Sequence, residues 1–280
     1  MIPSPTIEWQ VAGACNYDCS YCIQSRRYRR GAPDADRVDR ALDFFARLPG
    51  VWELKCSGGE AFAHALFLDR IVPGLMARTP HRISVLTNLS ASKAELDRFA
   101  ALTEGRLLVF SASLHLEHVG IEAFVEKAAW LASRLGPGVR LVVNQVVFPD
   151  RHAEALRCRA IVEAAGLRWF PQLYKVGGGV AAWPDEAALR AVIGDAPGPR
   201  EANTAPSYRG RRCWAGAAYF TVDKDGTAWS CRTAKRHGEG RLGNIYADDV
   251  VLREGPAPCP WEICPCTVPA NRGMIEGVVG

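Results

Sequence analysis

Six apolar, strand-like runs between residues 6 and 173 alternate with segments of helical periodicity, and this alternation restricts the fold more than any other feature. The runs are TIEWQVA, VWELKC, HRISVLT, RLLVFSAS, VRLVVNQVVF and LRWFPQL. Strands that alternate with helices form parallel sheets through right-handed crossovers, and functional residues gather at the carboxyl ends of the strands. The sequence therefore predicts an α/β fold, a partial (β/α)6 TIM-like barrel that spans residues 1–205.

The segments between the runs carry helix signals of their own. Apolar residues in 38–45 follow the i, i+3, i+4, i+7 spacing that places them on one face of a helix. A second helix is predicted around Leu66–Met76. A later helix is predicted to begin at Ser92, because Glu95 lies three residues on and completes a reciprocal capping pair. These helices are expected to cover the outer face of the sheet.

Composition is that of an ordinary globular protein, with 48% hydrophobic and 23% charged residues among 280. The sequence has no run of eighteen apolar residues and no signal-peptide pattern at its start, so we expect a cytoplasmic protein that does not associate with membranes. A net charge of +4 is mild and does not favour a nucleic-acid partner.

Three cysteines follow the first predicted strand in the spacing CxxxCxxC: Cys15, Cys19 and Cys22. In a reducing compartment, clustered cysteines are better interpreted as ligands of a metal or cluster than as disulfides. Three thiolates can hold three irons of a [4Fe–4S] cube and leave the fourth iron open, as a catalytic zinc keeps one position free. A zinc knuckle is the alternative.

A second motif follows the second strand, where CSGGEAF contains Gly58, Gly59 and Glu60. With CxxxCxxC, and with the aromatic Tyr21 before Cys22, this GGE motif resembles the radical S-adenosylmethionine (SAM) superfamily. The resemblance implies that SAM chelates the open iron and that an electron from the cluster, supplied by a flavodoxin or ferredoxin, cleaves it to a 5′-deoxyadenosyl radical. The resemblance also implies that the small residues of GGE let the backbone approach the amino group of SAM. Ala61 stands where the family often has proline.

Polar residues at the ends of later strands are the predicted remainder of the SAM site. Thr87 and Asn88 stand in LTNL, which is similar to the TNG of the family; Ser113 lies in SASLH and Asn144 in the fifth strand. A structural polar role is the alternative for each of them.

Other residues are candidates for the substrate. His115 is the candidate catalytic group in this part of the chain, and Gln172 is expected to face the substrate. A hydrogen-bonded role at the rim of the site, without chemistry, is the alternative for both. In RRYRR, Arg26 and Arg27 could attract an anionic substrate, with a solvated basic loop as the alternative.

The last part of the chain contains five of the ten cysteines, after a linker over 194–212 that is rich in proline, glycine and polar residues. The GxxxxC pattern that ends at Cys231 resembles the SPASM or twitch extension, so residues 206–280 are predicted to form a small auxiliary domain. DKDG before it is a turn signal between two short strands, a hairpin that would bring Cys213 and Cys231 together. The resemblance implies one further [4Fe–4S] cluster, or a structural zinc as the alternative. The predicted ligands are Cys213, Cys231, Cys264 and Cys266, with Cys259 as an alternate.

A cube needs only four ligands, which leaves one tail cysteine over. We take Cys259 as that cysteine and as a candidate hydrogen-atom donor, because Cys264 and Cys266 share a short, proline-stiffened loop. Cys56 and Cys158 are predicted to be small core side chains.

The resemblance implies an enzyme that abstracts a hydrogen atom from a carbon of its substrate and yields an oxidised or rearranged product. A small polar substrate, sugar-like or amino-acid-like, is favoured, because no leader-peptide recognition domain fits before the first strand. Crosslinking or epimerisation of a ribosomally made peptide is the alternative. A zinc or iron–sulfur module that binds nucleic acid is the alternative outside enzymes.

Overall fold

The computed structural model describes residues 3–195, 203–204 and 207–278. Its first part contains the predicted alternation. The strands are β1 (Thr6–Ala12), β2 (Glu53–Gly58), β3 (Arg82–Thr87), β4 (Leu107–Leu114), β5 (Arg140–Val147) and β6 (Arg168–Leu173). The helices are α1 (Ala35–Ala46), α2 (Val72–Arg78), α3 (Lys93–Leu102), α4 (Ile121–Ala132), α5 (His152–Ala164) and α6 (Glu186–Ile193).

Strands β1 to β6 lie side by side in sequence order, and every neighbouring pair is parallel. Each crossover carries a helix, as parallel pairing requires. All seven residues of β1 are buried, which is typical of a strand covered on both faces. The predicted partial, open barrel is confirmed.

Two helix predictions can be compared with the structure. The capping box of α3 is present, with Ser92 and Glu95 bonded reciprocally. The helix predicted around Leu66–Met76 is not uniform, because residues Phe67–Ile71 form a π-helical turn before α2 begins. Pro73 has no N–H to donate to the carbonyl four residues earlier, which accounts for the irregular hydrogen bonding before it.

The core lies between the sheet and these helices and contains a series of aromatic contacts. Trp9 of β1 packs edge-on against Phe45 of α1, with ring centroids 5.0 Å apart. Phe99 of α3 packs against Phe67 and Phe110, each at 5.9 Å. Cys56 and Cys158 are buried in this core, at 0% and 1% exposure, as predicted.

The chain after residue 207 forms short elements around the open side of the barrel. Its strands are β9 (Arg212–Cys213), β10 (Tyr219–Val222), β11 (Thr227–Trp229), β12 (Arg241–Asn244) and β13 (Ala257–Pro258), and its helices are α7 (Arg232–Arg236) and α8 (Thr267–Asn271). A two-stranded ribbon of β7 (Lys175–Val176) and β8 (Gly179–Val180) precedes α6.

The tail is joined to the barrel sheet, a feature that the sequence did not predict. Strand β10 pairs in parallel with β1, Thr6 opposite Tyr219, and β11 and β12 continue the sheet in antiparallel fashion to nine strands. The predicted boundary at 205–206, and residues 196–202 of the predicted linker, lie outside the described residues.

Buried ion pairs also connect the tail to the inside of the barrel. Arg232 of α7 pairs with Glu8 of β1, whose side chain is 1% exposed. Arg272, just after α8, lies 2.5 Å from Glu53 of β2. Breaking one partner of a buried pair leaves an uncompensated charge, so these contacts hold the two parts together.

No helix in the described part of the chain is long and apolar enough to cross a lipid bilayer.

The Arg272–Glu53 pair gives a first prediction, because Arg272→Met leaves the carboxylate of Glu53 buried without its cation. We expect the free energy of unfolding to fall by about 3 kcal/mol, and the thermal midpoint by roughly 5–10 °C. The matched control is Arg209→Met, which breaks an exposed tail pair with Glu262 (side chains 65% and 61% exposed) and should cost less than about 1 kcal/mol. Equal losses in thermal unfolding at equal cluster content would contradict the structural role of the buried pair.

Candidate active site

A pocket of about 240 Å³ opens at the carboxyl ends of the barrel strands. That volume far exceeds what a few ordered waters need, so the pocket has room for a ligand. Most of the residues predicted to form the SAM and substrate sites line it together: Cys15, Cys19, Tyr21, Cys22, Gly58, Gly59, Thr87, Asn88, Ser113, His115 and Gln172.

The three cysteines lie on the segment that follows β1, residues 13–31, which we call the cluster loop. Cys15 is half-buried, Cys19 buried and Cys22 exposed. The amide of Tyr17 donates to Cys15 Sγ at 3.4 Å, a contact that favours a thiolate. Burial raises the pKa of Cys15, and it raises that of Cys19 to about 11, so both thiols must release protons when they bind a metal.

The cluster loop is anchored to the end of β4 by polar and aromatic contacts. The amide of Ser20 donates to Glu117 at 2.8 Å, and Tyr17 stacks on His118 with ring centroids 4.2 Å apart. Tyr21 Oη is hydrogen-bonded to His115 Nδ1 at 2.8 Å. Burial, with His118 nearby, lowers the pKa of His115 to about 4, so its imidazole is neutral near pH 7.

The glycines after β2 are required by the main chain that enters the cluster loop. A Cβ on Gly58 would lie 2.2 Å from the carbonyl oxygen of Ala12, and one on Gly59 would lie 2.1 Å from that of Ala14. The same approach allows the amide of Gly59 to donate to Ala12 at 2.9 Å. The sequence predicted small residues here for approach to a ligand; in the structure it is the protein backbone that needs the space.

Glu60 has a position that differs from the predicted one. Its side chain is 1% exposed and is not part of the pocket wall. The carboxylate accepts hydrogen bonds from Thr87 Oγ1 at 2.7 Å and from the amides of Asn88 at 2.6 Å and Phe62 at 3.1 Å. Glu60 therefore joins the ends of β2 and β3 from behind the pocket, and direct contact with SAM is not what its geometry favours.

Three other predicted residues are also absent from the wall. Asn144 lies on the same face of β5 as Val146 of the wall but two residues earlier, so it is one layer deeper in the barrel. Its side-chain amide donates to the carbonyl of Val142 at 3.4 Å. Arg26 and Arg27 are exposed to solvent. The arginine of RRYRR that reaches the wall is Arg29.

Sequence analysis did not single out several polar residues of the wall, among them Gln24, Arg29, Lys175 and Arg232. The first two were close to the cysteine motif and could have been considered on that ground. Lys175 follows the end of β6, where catalytic residues of such folds gather. Arg232 comes from the tail, and nothing in the sequence places it here.

Gln24 and Arg29 each present an unpartnered polar atom in this wall. The side-chain amide of Gln24 donates to the carbonyl of Gly58 at 3.0 Å, which leaves Gln24 Oε1 as an acceptor without a partner among the described residues. Arg29 Nε is a buried donor that likewise has none there. An acceptor and a cationic donor suit the ammonium and carboxylate of an amino acid, which SAM contains, so the residues present fit that cofactor.

A second cavity, in the tail, is lined by four cysteines: Cys213, Cys231, Cys259 and Cys264. Burial raises the pKa of the first to about 12 and that of the second to about 11. Turn formation at DKDG is confirmed, with the amide of Gly226 bonded to Asp223. Cys213, however, reaches the cavity from β9 rather than across the β10–β11 hairpin.

Cys266 lies outside the wall of the second cavity. Its Sγ is 3.8 Å from Tyr219 Oη, and it is near enough to Lys175 of the main pocket for a thiolate to affect the pKa of that lysine. Cys266 also acts electrostatically on Cys231 and Cys264, so both Cys259 and Cys266 lie near other tail thiols. The predicted ligand set, with Cys266 as a ligand and Cys259 left over, therefore stays a prediction.

The spacing of the tail thiols bears on the kind of metal they can hold. A zinc ion with Zn–S distances of about 2.3 Å keeps its sulfurs within roughly 4.6 Å of one another. No three thiols of the described tail lie within 4.8 Å of one another. A close trio does occur in the cluster loop region, where Cys19, Glu117 and His118 place ligand atoms within 4.8 Å.

Comparison with known proteins identifies the fold. No protein-family model matches the sequence, and no curated protein is significantly similar to it. Among solved structures, anSMEcpe with bound AdoMet and Cp18Cys peptide matches 87% of this chain and 78% of its own at 14% identity and a TM-score of 0.60. SuiB of Streptococcus suis matches with a TM-score of 0.63 at 14% identity, over 88% of this chain and 64% of SuiB.

A third structure, BtrN in complex with AdoMet and 2-DOIA, matches 88% of this chain and 80% of its own at 14% identity and a TM-score of 0.50. At such identities the matches show a shared fold, and they extend over most of the chain.

The glycine contacts lead to a second prediction. Gly59→Ala should destabilise the protein by about 1–3 kcal/mol or more, because its Cβ meets main-chain atoms that cannot move without shifting the cluster loop. The control is Gly136→Ala, where nothing lies within 4 Å of the added Cβ, and it should change stability by less than about 0.5 kcal/mol. Thermal unfolding of both variants is the measurement, and a Gly59→Ala protein as stable as the control would show that the close approach is not obligatory.

Proposed function

We propose that this chain, whose fold is that of radical SAM enzymes, is itself a member of that superfamily and cleaves SAM reductively. The observation that carries the proposal is the convergence of Cys15, Cys19 and Cys22 with the Gly58–Gly59 turn on one pocket at the carboxyl ends of the strands. When a [4Fe–4S] cluster and SAM are bound there, they supply a 5′-deoxyadenosyl radical that can abstract a hydrogen atom from carbon. Three thiols in CxxxCxxC provide the donor set that such a cluster needs.

The protein residues would hold SAM by its polar groups. Gln24 Oε1 would accept from the amino group of SAM and Arg29 would donate to its carboxylate, which would give each of the two unpartnered atoms a partner. Thr87, Asn88 and Ser113 line the same pocket and contribute the remaining polar contacts. Glu60 is a positioning residue, because it fixes the main chain of Asn88 without facing the ligand.

Tyr21 and His115 form a hydrogen-bonded unit on the wall between the cluster loop and β4. The imidazole is neutral, so it adds no positive charge that would repel a cationic sulfonium. We propose that His115 fixes the orientation of Tyr21 and limits the access of water to the cluster, rather than transferring a proton.

A second [4Fe–4S] cluster is proposed for the tail, with Cys213, Cys231, Cys259 and Cys264 as its ligands. These four line one cavity, and their spacing does not suit a single zinc ion. The leftover thiol is then Cys266, which lies between this cavity and the main pocket. The tail cluster could accept the second electron of an oxidation or bind substrate.

The substrate is proposed to be small and polar, because Gln172, Lys175 and Arg232 give the pocket wall polar and charged groups beyond those proposed to hold SAM. BtrN was solved with 2-DOIA and AdoMet, whereas anSMEcpe was solved with a peptide, and SuiB shares the fold as well. Modification of a ribosomally made peptide is therefore the second candidate. A flavodoxin or ferredoxin is the proposed electron donor.

The proposed function is tested by anaerobic reconstitution. We expect about eight irons per chain from two cubes, and 5′-deoxyadenosine on addition of dithionite and SAM. Cys19→Ala should lose about half the iron and all product, whereas the matched control Cys158→Ala, a core cysteine at 1% exposure, should lose neither. A wild-type protein that binds only zinc, or that yields no 5′-deoxyadenosine, would refute the proposal.

The tail assignment leads to a separate prediction. Cys259→Ala should lose roughly half of the iron, because it removes one of four ligands of the tail cube. Cys266→Ala, the matched variant, should keep the iron of both clusters. The reverse pattern in iron analysis would restore the assignment predicted from sequence, with Cys266 as ligand and Cys259 as the leftover thiol.

A further inference from the structure

We infer that the substrate of this enzyme carries an anionic group, a carboxylate or a phosphate, and that Lys175 on the wall of the main pocket holds it. The inference rests on the proposed function and adds the chemical class of the substrate. It follows from the charges of the wall, from the lack of a partner for Lys175, and from the separation of this lysine from the proposed SAM contacts.

The charged side chains of the pocket wall all have one sign. Arg29, Lys175 and Arg232 line it, and the described wall contains no aspartate or glutamate. An amino sugar or other cationic substrate would find no carboxylate there and would be repelled by three cations. An anionic substrate meets a complementary surface.

Two of the three cations already have an anionic partner, one observed and one proposed. Arg232 pairs with the buried carboxylate of Glu8, and Arg29 is the proposed partner of the carboxylate of SAM. The side chain of Lys175 makes no hydrogen bond or ion pair with any residue that the structure describes. Lys175 is therefore the cation that remains available for a ligand.

The surroundings of Lys175 leave its charge uncompensated. Arg232 and Arg236 are both close enough to disfavour its protonation, and only Glu8 and a Cys266 thiolate would favour it. Burial acts in the same direction as the arginines, and the pKa of Lys175 is lowered as a result. A bound anion would offset both effects, since a buried charge is costly unless it is paired.

Lys175 belongs to the tail side of the pocket and Arg29 to the cluster side. Arg29 acts electrostatically on Cys15, whereas Lys175 interacts with Cys266 and lies just beyond Gln172 and the end of β6. Two anions can therefore be held at once, that of SAM near the cluster and that of the substrate near the tail. The substrate would then lie beside the thiol of Cys266.

The test is protection of Lys175 from acetylation. The reconstituted protein, saturated with SAM, receives a pulse of acetic anhydride in sodium chloride, inorganic phosphate or sodium acetate at equal ionic strength, and the modified lysines are quantified by mass spectrometry. When phosphate or acetate occupies two-thirds of the sites, acetylation of Lys175 should be about threefold slower. The rate of acetylation of the exposed Lys93 should stay unchanged. Protection by phosphate alone identifies a phosphate substrate, and protection by acetate identifies a carboxylate.

Two outcomes overturn the inference. In the first, neither anion slows acetylation of Lys175. In the second, SAM without either anion already protects Lys175 as fully as the anions do, which would make Lys175 a SAM contact. The readout does not depend on turnover. Failure of the proposed function appears separately, as the absence of 5′-deoxyadenosine from the wild-type protein.

Variants at the same position provide an independent check. Inorganic phosphate or acetate, whichever protects, should raise the thermal midpoint of the wild type and of Lys175→Arg, which keeps the charge, and should not raise that of Lys175→Gln. An equal rise in Lys175→Gln would show that the anion binds elsewhere.

Discussion

The arrangement of this molecule depends on one close approach of backbone to backbone, where the chain that leaves β1 passes over Gly58 and Gly59 at the end of β2. Two amide-to-carbonyl bonds form there, from Gly59 to Ala12 and from Glu60 to Ala14, each at 2.9 Å. They fix the start of the cluster loop, and therefore the direction in which its three thiols point. The same turn presents the carbonyl of Gly58 to Gln24, and its glutamate ties β2 to β3. Because Gly58 and Gly59 have no side chains, this close approach of the two backbone segments is possible. It positions both the proposed iron ligands and the polar wall beside them.

The tail is part of the same construction. Lys224 donates to the carbonyl of Tyr28 at 2.8 Å, so the hairpin of the tail holds the far end of the cluster loop. Arg232 enters the barrel from α7 and completes the wall of the main pocket. The cavity with four cysteines and the pocket with three are consequently parts of one rigid arrangement with Cys266 between them. Residues from both halves of the chain therefore line the main pocket.

The features that sequence analysis predicted are those encoded over short distances. Strand and helix periods, the Ser92 capping box, and the cysteine and GGE motifs depend on neighbouring residues, and the structure reproduces the six strands to within about two residues. The wrong or missing details depend on contacts between distant parts of the chain. The parallel pairing of β10 with β1 carries no local signal, and neither does the entry of Arg232 into the barrel. The choice between Cys259 and Cys266 as a ligand also depends on contacts between distant segments, and the spacing of the cysteines does not determine it.

The pairing of β10 with β1 also affects how the chain is made. Tyr219, the partner of Thr6, is synthesised more than two hundred residues after it. At about 5–20 residues per second, β1 waits roughly 10–40 s for its second neighbour. Until then one edge of an apolar strand is open to pairing with other chains. The nascent barrel is thus at greatest risk of aggregation before the tail arrives, and slow synthesis or early termination would expose that edge for longer.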